Sequence, residues 1–238
     1  MIKKTEAIVL KAVKHQESNL IVRLFTRDFG AKSFIITGYG SARSRTKYSY
    51  FQPLSLVEIV FIEKLANQLP KISESRALTL LNSVQIEPIK ISLGLTMLEI
   101  VYDCMKEEEP DAELFEMLTQ LVHALEEKND RLIHYFFYFL VQFTRILGFF
   151  PNNEVKDVDK VIAFDLPNGT LRNQVGGDTK VCQMILWFMY TSLENCQDFS
   201  FSQLEKRNFL STLFSYYYHH IQGFKYPKTI QVFAEVFE

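Results

Sequence analysis

The chain has 238 residues and a formal net charge of -2, with 47% hydrophobic and 23% charged residues. This balance excludes a disordered chain, and the length favours two modest domains. The charge is unevenly distributed: residues 1–82 hold 13 Lys and Arg against six Asp and Glu, while residues 83–238 hold 13 against 22. Such asymmetry predicts a polyanion-binding part joined to a part with another role.

Five short apolar runs occupy the basic part of the chain. They cover residues 5–15, 19–28, 32–37, 55–63 and 70–81. β-Branched residues and approximate alternation favour strands, although the last run also suits a short helix. Five strands in about 80 residues is the size of a small closed barrel of the OB type, which commonly binds single-stranded nucleic acid. We therefore predict an OB-fold nucleic-acid-binding domain over residues 1–82.

The hydrophobic period changes to 3.6 after Pro88 and predicts an all-α domain over residues 83–238. The predicted helices run from Ile91 to Met105, from the N-cap Asp111 to Leu125, from near Asp130 as the central helix, from Lys180, and from the capping box Ser202 to Glu205 as far as Gly223. Asn168-Gly169 predicts a small β-hairpin in an insertion over about residues 151–179. The predicted fold class is therefore α+β.

Neither a leader nor a membrane span is predicted. Lys11 and Lys14 interrupt the first apolar run, and no small-residue cleavage site follows. Residues 132–150 approach membrane-spanning length, but His134 and Arg145 lie inside them, which favours a buried helix. The three cysteines are widely spaced and form no C-x-x-C pair, so reduced, cytosolic thiols are expected.

The most basic and aromatic stretch is Thr37–Pro53, TGYGSARSRTKYSYFQP. The 29 residues between Asp28 and Glu58 contain no carboxylate, so their cations are available to neutralise phosphate, and the tyrosines offer faces on which bases stack. The alternative is a solvated loop whose tyrosines pack on the barrel. The predicted nucleic-acid-binding residues are Lys11, Lys14, Arg23, Arg27, Lys32, Tyr39, Arg43, Arg45, Lys47, Tyr48 and Tyr50.

No pattern in the chain indicates an enzyme. There is no Walker loop, G-x-S-x-G or H-E-x-x-H motif. The side chains of His219 and His220 point about 100° apart on a helix, so they do not chelate one ion. The acidic run at 107–113 lies between two helices and is best interpreted as a solvated loop. An enzymatic alternative requires a cleft of carboxylates or histidines with shifted pKa values.

The order of several loose motifs resembles the RecO family of bacterial recombination mediators. The N-terminal motifs are an AIVL strand, then Glu17, Ile21 or Val22, Thr26 and Gly30, then Gln52 and Pro53 before the fourth strand. LVQFTRILGFFPN at 140–152 and HHIQGFKYPKTIQVFAEVF at 219–237 are similar to the family's central helix and C-terminal segment. The resemblance therefore covers nearly the whole chain.

The resemblance implies a non-catalytic DNA-repair protein in the bacterial cytoplasm, associated with the nucleoid. Such proteins bind single- and double-stranded DNA through the OB-fold, anneal complementary strands and, with RecR, displace single-strand-binding protein so that RecA loads. The family's helical domain also accepts the acidic, Asp-Phe-ending tail of single-strand-binding protein. The basic candidates for that contact are Arg131, Arg145, Lys206 and Arg207.

One departure from the family concerns zinc. Many members carry a four-cysteine zinc site after the position that matches Gly148 to Pro151, whereas residues 152–169 contain no cysteine. We therefore expect no zinc and no other cofactor, with the hairpin at Ile162 to Arg172 holding this subdomain by packing alone. A second hypothesis for the whole chain is a non-catalytic adaptor whose barrel binds RNA or another polyanion and whose helical domain binds partner proteins.

Overall fold

The computed structural model describes residues 1–15, 19–38, 49–63, 68–105, 109–157, 160 and 162–229. They form two compact units, of which the first contains Met1–Glu127 and Thr229 and the second contains Lys128–Lys228. The predicted domain boundary after residue 82 falls inside the first unit, and it stays a prediction. Within the described ranges, no helix is long and apolar enough to cross a membrane.

A closed five-stranded barrel begins the first unit, as predicted. Its strands are β1 Ile2–His15, β2 Asn19–Thr26, β3 Gly30–Thr37, β4 Leu56–Ile62 and β5 Lys71–Ala77. Their order around the barrel is β1-β2-β3-β5-β4. β1 pairs with β4 along its first half and with β2 along the rest, and a register shift between Val9 and Lys11 bends it. This long, bent strand is what allows the sheet to close.

Alternate residues of the strands fill the barrel. The interior contains Ala7, Val9, Leu20, Val22, Leu24, Phe34, Ile36, Val57, Ile59, Phe61 and Ile72. Phe51, from the basic and aromatic stretch, is 1% exposed and belongs to the same cluster. Because side chains alternate across a strand, the residues between these positions face outward.

Among the described residues the first unit also contains the helices α1 Pro88–Cys104 and α2 Ala112–Glu127. The predicted N-cap is confirmed, since an Asp111 carboxylate oxygen accepts a 2.9 Å hydrogen bond from the Leu114 backbone N–H. α2 contacts the barrel through Phe115, whose ring centroid lies 6.2 Å from that of Phe25. α1 approaches at Gly94, where any larger side chain would overlap Leu54.

A carboxylate clamp joins the end of the barrel to the helices. Glu126 accepts hydrogen bonds of 2.8 to 3.1 Å from the backbone N–H groups of Asn82, Ser83 and Val84. Partial burial raises the pKa of Glu126, but these donors outweigh that effect and hold the pKa below its ordinary value. Lys90 is fully buried beside the clamp, and its ammonium donates to the Ser83 hydroxyl at 2.8 Å.

The second unit is built on three helices, α3 Ile133–Ile146, α4 Thr179–Tyr190 and α5 Gln203–His220, with a short 3-10 turn at Cys196–Asp198. α3 buries most of its side chains, which confirms a central helix. The predicted capping box is present at Ser202 and Glu205, and α5 ends three residues before Gly223. The thiols of Cys104, Cys182 and Cys196 are buried, which raises the pKa of each to about 12. Such thiols are unreactive.

The predicted hairpin is confirmed, and it gains a third strand. Its strands are β7 Ile162–Asp165 and β8 Thr170–Asn173, and β6 Asn152–Asn153 pairs with β8 in parallel. α5 supports this sheet, because the Tyr216 hydroxyl donates to the Phe149 carbonyl and the His220 Nε2 lies 2.9 Å from the Leu166 carbonyl oxygen. His220 therefore has a structural role.

Metal-binding side chains are not assembled in this sheet. Among the described residues no three His, Cys, Asp or Glu side chains are grouped to hold a metal ion. The Asn173 side chain instead ties the strand to its neighbour, since its amide donates to the Asp157 carbonyl at 2.7 Å and its oxygen accepts from the Lys156 N–H at 3.0 Å. The residues present do not fit a zinc ion, and the absence of zinc stays a prediction.

Candidate nucleic-acid interface

The predicted nucleic-acid-binding residues divide into two groups. Tyr39, Arg43, Arg45, Lys47 and Tyr48 lie outside the described residues. Lys11, Lys14, Arg23, Arg27, Lys32 and Tyr50 lie on or against the barrel, and the structure places them in different surroundings. These surroundings determine which of the six side chains are available to an anionic ligand.

Lys11 and Arg23 lie directly opposite each other on β1 and β2. The next pair, Ala12 and Val22, faces the barrel interior, so Lys11 and Arg23 share the outer face. Within the described part of the chain, neither side chain is within 4.0 Å of a carboxylate. Like charges directly opposite in a sheet are destabilising. This pair is therefore a cationic position that no described carboxylate neutralises.

Arg23 is only weakly bonded by its neighbours. Its Nη1 lies 3.5 Å from the Ser33 hydroxyl on β3, at the limit of a hydrogen bond. Its buried Nε has no hydrogen-bond partner among the described residues. The guanidinium carbon lies 5.3 Å from the centroid of the Tyr102 ring on α1. Arg23 thus has no strong hydrogen bond to the described residues, and its guanidinium lies beside an aromatic ring.

The next row on the same outer face is apolar. Val13 pairs with Ile21, and Ile21 pairs with Ile35 on β3. Val13 is 48% exposed. Covering its apolar surface would be favourable. A cationic row beside an apolar row suits a nucleic-acid strand, in which charged phosphates alternate with apolar base faces.

Three cations beside β4 are already paired. Lys3 lies 3.0 Å from Glu63, and both Lys4 and Arg76 reach Glu58, at 3.0 and 2.8 Å. The Arg76 and Lys4 partners hold the pKa of Glu58 below its ordinary value. Lys3, Lys4 and Arg76 are therefore neutralised by carboxylates, whereas Lys11 and Arg23 have no carboxylate within 4.0 Å among the described residues.

Arg27 and Lys32 are engaged within the protein. The Arg27 guanidinium bonds Glu6 at 2.9 Å and Glu116 at 2.7 Å. Lys32 pairs with the interior residue Leu24, so it takes an inward-facing position at the barrel end, 3.9 Å from Glu63. Both side chains lie close to carboxylates, and their contact with nucleic acid stays a prediction.

Lys14 and Tyr50 illustrate two further environments. Lys14 is exposed and pairs with the interior residue Leu20 near the end of β1. Tyr50 is partly buried and packs against the barrel core. Of the two roles left open for the tyrosines, packing is the one that the described position of Tyr50 favours.

The four basic residues predicted for partner binding do not form one cluster. Arg131 donates to the Gln197 carbonyl at 2.7 Å, and Lys206 lies 5.8 Å from the centroid of the Phe201 ring. Arg145, at the other end of α3, stacks over Phe150 at 3.7 Å. Arg207 is exposed on α5.

A groove of about 810 Å³ lies on the second unit between α4 and residues 191–199. Trp187 and Phe199 provide its aromatic surface, and the buried Trp187 Nε1 has no partner among the described residues. Lys180 lies 4.7 Å from the centroid of the Phe199 ring. None of the four predicted basic residues lines this groove.

Sequence reasoning missed Tyr102. Its spacing fits the apolar stripe of α1, yet its ring is 53% exposed. The only sequence signal was its neighbour Asp103, a charged residue that places this part of the helix near solvent.

Comparison with known proteins gives two matching family models. The model for the recombination protein O N terminus matches residues 1–81, and the model for its C terminus matches residues 87–155. DNA repair protein RecO of Flavobacterium psychrophilum is 29% identical over 238 residues, 98% of each chain. RecO proteins of Azobacteroides pseudotrichonymphae and Christiangramia forsetii are also 29% identical, over 100% and 98% of both chains.

The chain has an N-terminal OB-type barrel followed by helices, and the N-terminal and C-terminal models of one family both match it. These findings define the class as a bacterial DNA repair and recombination protein. The chain belongs to the RecO family. The resemblance seen in the sequence is thereby confirmed.

Proposed function

We propose that this chain binds single- and double-stranded DNA through the outer face of its barrel and anneals complementary strands. With RecR it promotes the loading of RecA on DNA that is coated by single-strand-binding protein. It performs no chemistry on DNA itself, and it works in the bacterial cytoplasm in association with the nucleoid.

The observation that carries this proposal is the Lys11 and Arg23 pair. Two cations directly opposite on β1 and β2 cost the folded protein free energy, whereas Lys3, Lys4 and Arg76 have carboxylate partners. An anionic ligand removes that cost when it binds. DNA phosphates are spaced regularly along a flexible strand, so they suit a row of cations on a barrel face.

The decisive experiment is strand annealing. Complementary oligonucleotides are coated with cognate single-strand-binding protein and mixed with and without the chain, and duplex formation is followed by fluorescence. We expect acceleration by the wild-type chain. No acceleration, with or without RecR, contradicts the annealing role.

The second unit is proposed to bind the acidic C-terminal tail of single-strand-binding protein. Lys206 supports this, because it lies 5.8 Å from the centroid of the Phe201 ring and so offers charge beside an aromatic ring. Arg131 lies close to His134, whose ring stacks on Phe201 at 4.4 Å. A fluorescent peptide ending in Asp-Phe is titrated with the full chain. Lys206→Glu is expected to weaken its binding, and Lys225→Glu, an exposed lysine elsewhere in the unit, serves as the matched control.

The adaptor hypothesis predicts that the barrel prefers RNA, whose sugar carries a 2′-hydroxyl, over DNA. Specific RNA binding needs contacts to the 2′-hydroxyl. Competition between DNA and RNA oligonucleotides of matched sequence separates the two functions. Stronger competition by RNA favours the adaptor, whereas stronger competition by DNA supports the mediator.

A further inference from the structure

Tyr102 is a solvent-exposed aromatic residue at the end of α1. Its neighbours Val101 and Cys104 are buried, but the Tyr102 ring is 53% exposed. Its hydroxyl makes no hydrogen bond to another described residue. A half-exposed ring whose hydroxyl has no hydrogen-bond partner among the described residues has aromatic surface available to a ligand.

The ring lies beside two barrel cations that have no carboxylate partner among the described residues. Its centroid is 5.3 Å from the Arg23 guanidinium carbon, and Arg23 pairs with Lys11. The buried Arg23 Nε has no partner among the described residues. An exposed aromatic face next to two cations can bind a nucleotide, because the cations neutralise the phosphate and the base stacks on the ring.

We propose that Tyr102 is a base-stacking residue, which extends the nucleic-acid path from the outer face of β1 and β2 onto the last turn of α1. This inference rests on the proposed DNA binding and adds to it a contact from outside the barrel. Lys11 and Arg23 bind the phosphate, and the exposed face of Tyr102 stacks on the neighbouring base.

The proposed contact is restricted to unpaired bases. In a duplex each interior base is already stacked on both faces, so it has no face to offer Tyr102 without unstacking. Tyr102 therefore adds affinity for single strands and little for duplexes. This preference favours holding separated strands until they meet their complement.

The test measures oligonucleotide binding by fluorescence anisotropy with the full chain. The ligands are a thymine homopolymer, the same backbone with abasic sites, and a duplex. Tyr102→Ala is compared with Tyr102→Phe, which keeps the stacking face. Tyr218→Ala is the matched control, since Tyr218 is 65% exposed on α5 of the second unit. Thermal unfolding of each variant confirms that it is folded.

We expect Tyr102→Ala to weaken binding of the thymine homopolymer by about 5- to 150-fold, the range for losing one stacked base. Binding of the abasic strand and of the duplex should stay at the wild-type level. Tyr102→Phe and Tyr218→Ala should bind all ligands like the wild type. The slope of log affinity against log salt should not change, because no charge is removed.

The outcomes separate this inference from the function on which it rests. If the wild-type chain binds none of the ligands, the proposed DNA binding itself is wrong. If it binds them and Tyr102→Ala binds the thymine strand equally well, only the stacking role is wrong. An equal loss on thymine and abasic strands also overturns the stacking role, since it indicates that Tyr102 merely supports Arg23.

Discussion

The Arg27 guanidinium lies 2.7 Å from the Glu116 carboxylate and so connects the turn after β2 to α2. It also bonds Glu6 at 2.9 Å and lies 4.8 Å from the centroid of the Phe115 ring. Partial burial lowers the pKa of Arg27, but Glu116 and Glu6 outweigh it and raise the pKa above the ordinary value. Arg27 thus links the barrel to α2 through two ion pairs and a ring contact.

Arg27→Gln is therefore expected to reduce stability. The side chain is 38% exposed, so solvent screens its ion pairs, and we expect a loss of about 1 kcal/mol from the ion pairs and the ring contact together. Chemical denaturation of wild type and variant measures it. Glu116→Gln should give part of the same loss, and the double variant should lose less than the sum of the two. If the stability losses of the two single variants are simply additive in the double variant, Arg27 and Glu116 do not interact.

Lys11→Glu is expected to separate stability from DNA binding. The new carboxylate would lie opposite Arg23, so a repulsive cross-strand pair becomes attractive and the protein gains about 0.5 kcal/mol. The same change should weaken DNA binding and flatten its salt dependence, because fewer counterions are released. Denaturation and salt-dependent anisotropy measure the two effects.

The control for Lys11→Glu is Lys128→Glu, which makes the same change of net charge at an exposed position of the second unit. It should leave both the stability and the salt slope unchanged. Equal weakening by the two variants would mean that overall charge, rather than the barrel face, determines DNA affinity.

Much of the fold was predictable because its signals are local. Alternation along the strands identified the barrel, and Ser202 with Glu205 identified the start of α5. The third strand of the small sheet was not predicted. β6 is only two residues long, and it pairs with residues of β8 that are distant in the sequence. A two-residue strand carries no period of its own.

The candidate site was predictable only as a region. The charge excess identified the barrel, but Lys11 and Arg27 look alike in the sequence, and only the fold brings Glu116 to Arg27 and leaves Lys11 without a carboxylate among the described residues. The exposure of Tyr102 was not predicted, because its spacing fits the apolar stripe of α1. Pairing and exposure depend on contacts between segments that are far apart along the chain.

The basic stretch outside the described residues carries its own prediction. Charge reversal at Arg43, Arg45 and Lys47 should weaken DNA binding and reduce the salt slope, by about 0.7 to 0.9 for each phosphate that the variant no longer neutralises. The salt-dependent anisotropy assay measures both. Unchanged affinity and slope would remove these three residues from the interface and leave the Lys11 and Arg23 face as the DNA-binding surface.

The small sheet of the second unit is expected to be independent of zinc. Tyr216, His220 and Asn173 hold it by hydrogen bonds and packing, and residues 152–169 contain no cysteine. Elemental analysis of the purified chain should find no stoichiometric zinc, and a chelator should leave the melting temperature unchanged. A lower melting temperature with chelator, restored by added zinc, would contradict this expectation.

The last prediction concerns the acid sensitivity of the Glu126 clamp. The carboxylate accepts from three backbone N–H groups, so its folded pKa lies below the ordinary value of 4.5 that it keeps when unfolded. Its stabilising effect is therefore complete above the unfolded pKa and is lost as the pH falls through the folded pKa. Glu126→Gln should cost about 1 kcal/mol at neutral pH.

That difference should disappear in acid, where the wild-type carboxyl is also protonated. Thermal unfolding from neutral pH to below about pH 4 tests this, with Glu127→Gln as the control. Glu127 is exposed at the end of the same helix, so its substitution should have little effect at any pH. A constant difference between wild type and Glu126→Gln at all pH values would indicate that shape, rather than the ionised carboxylate, accounts for the clamp.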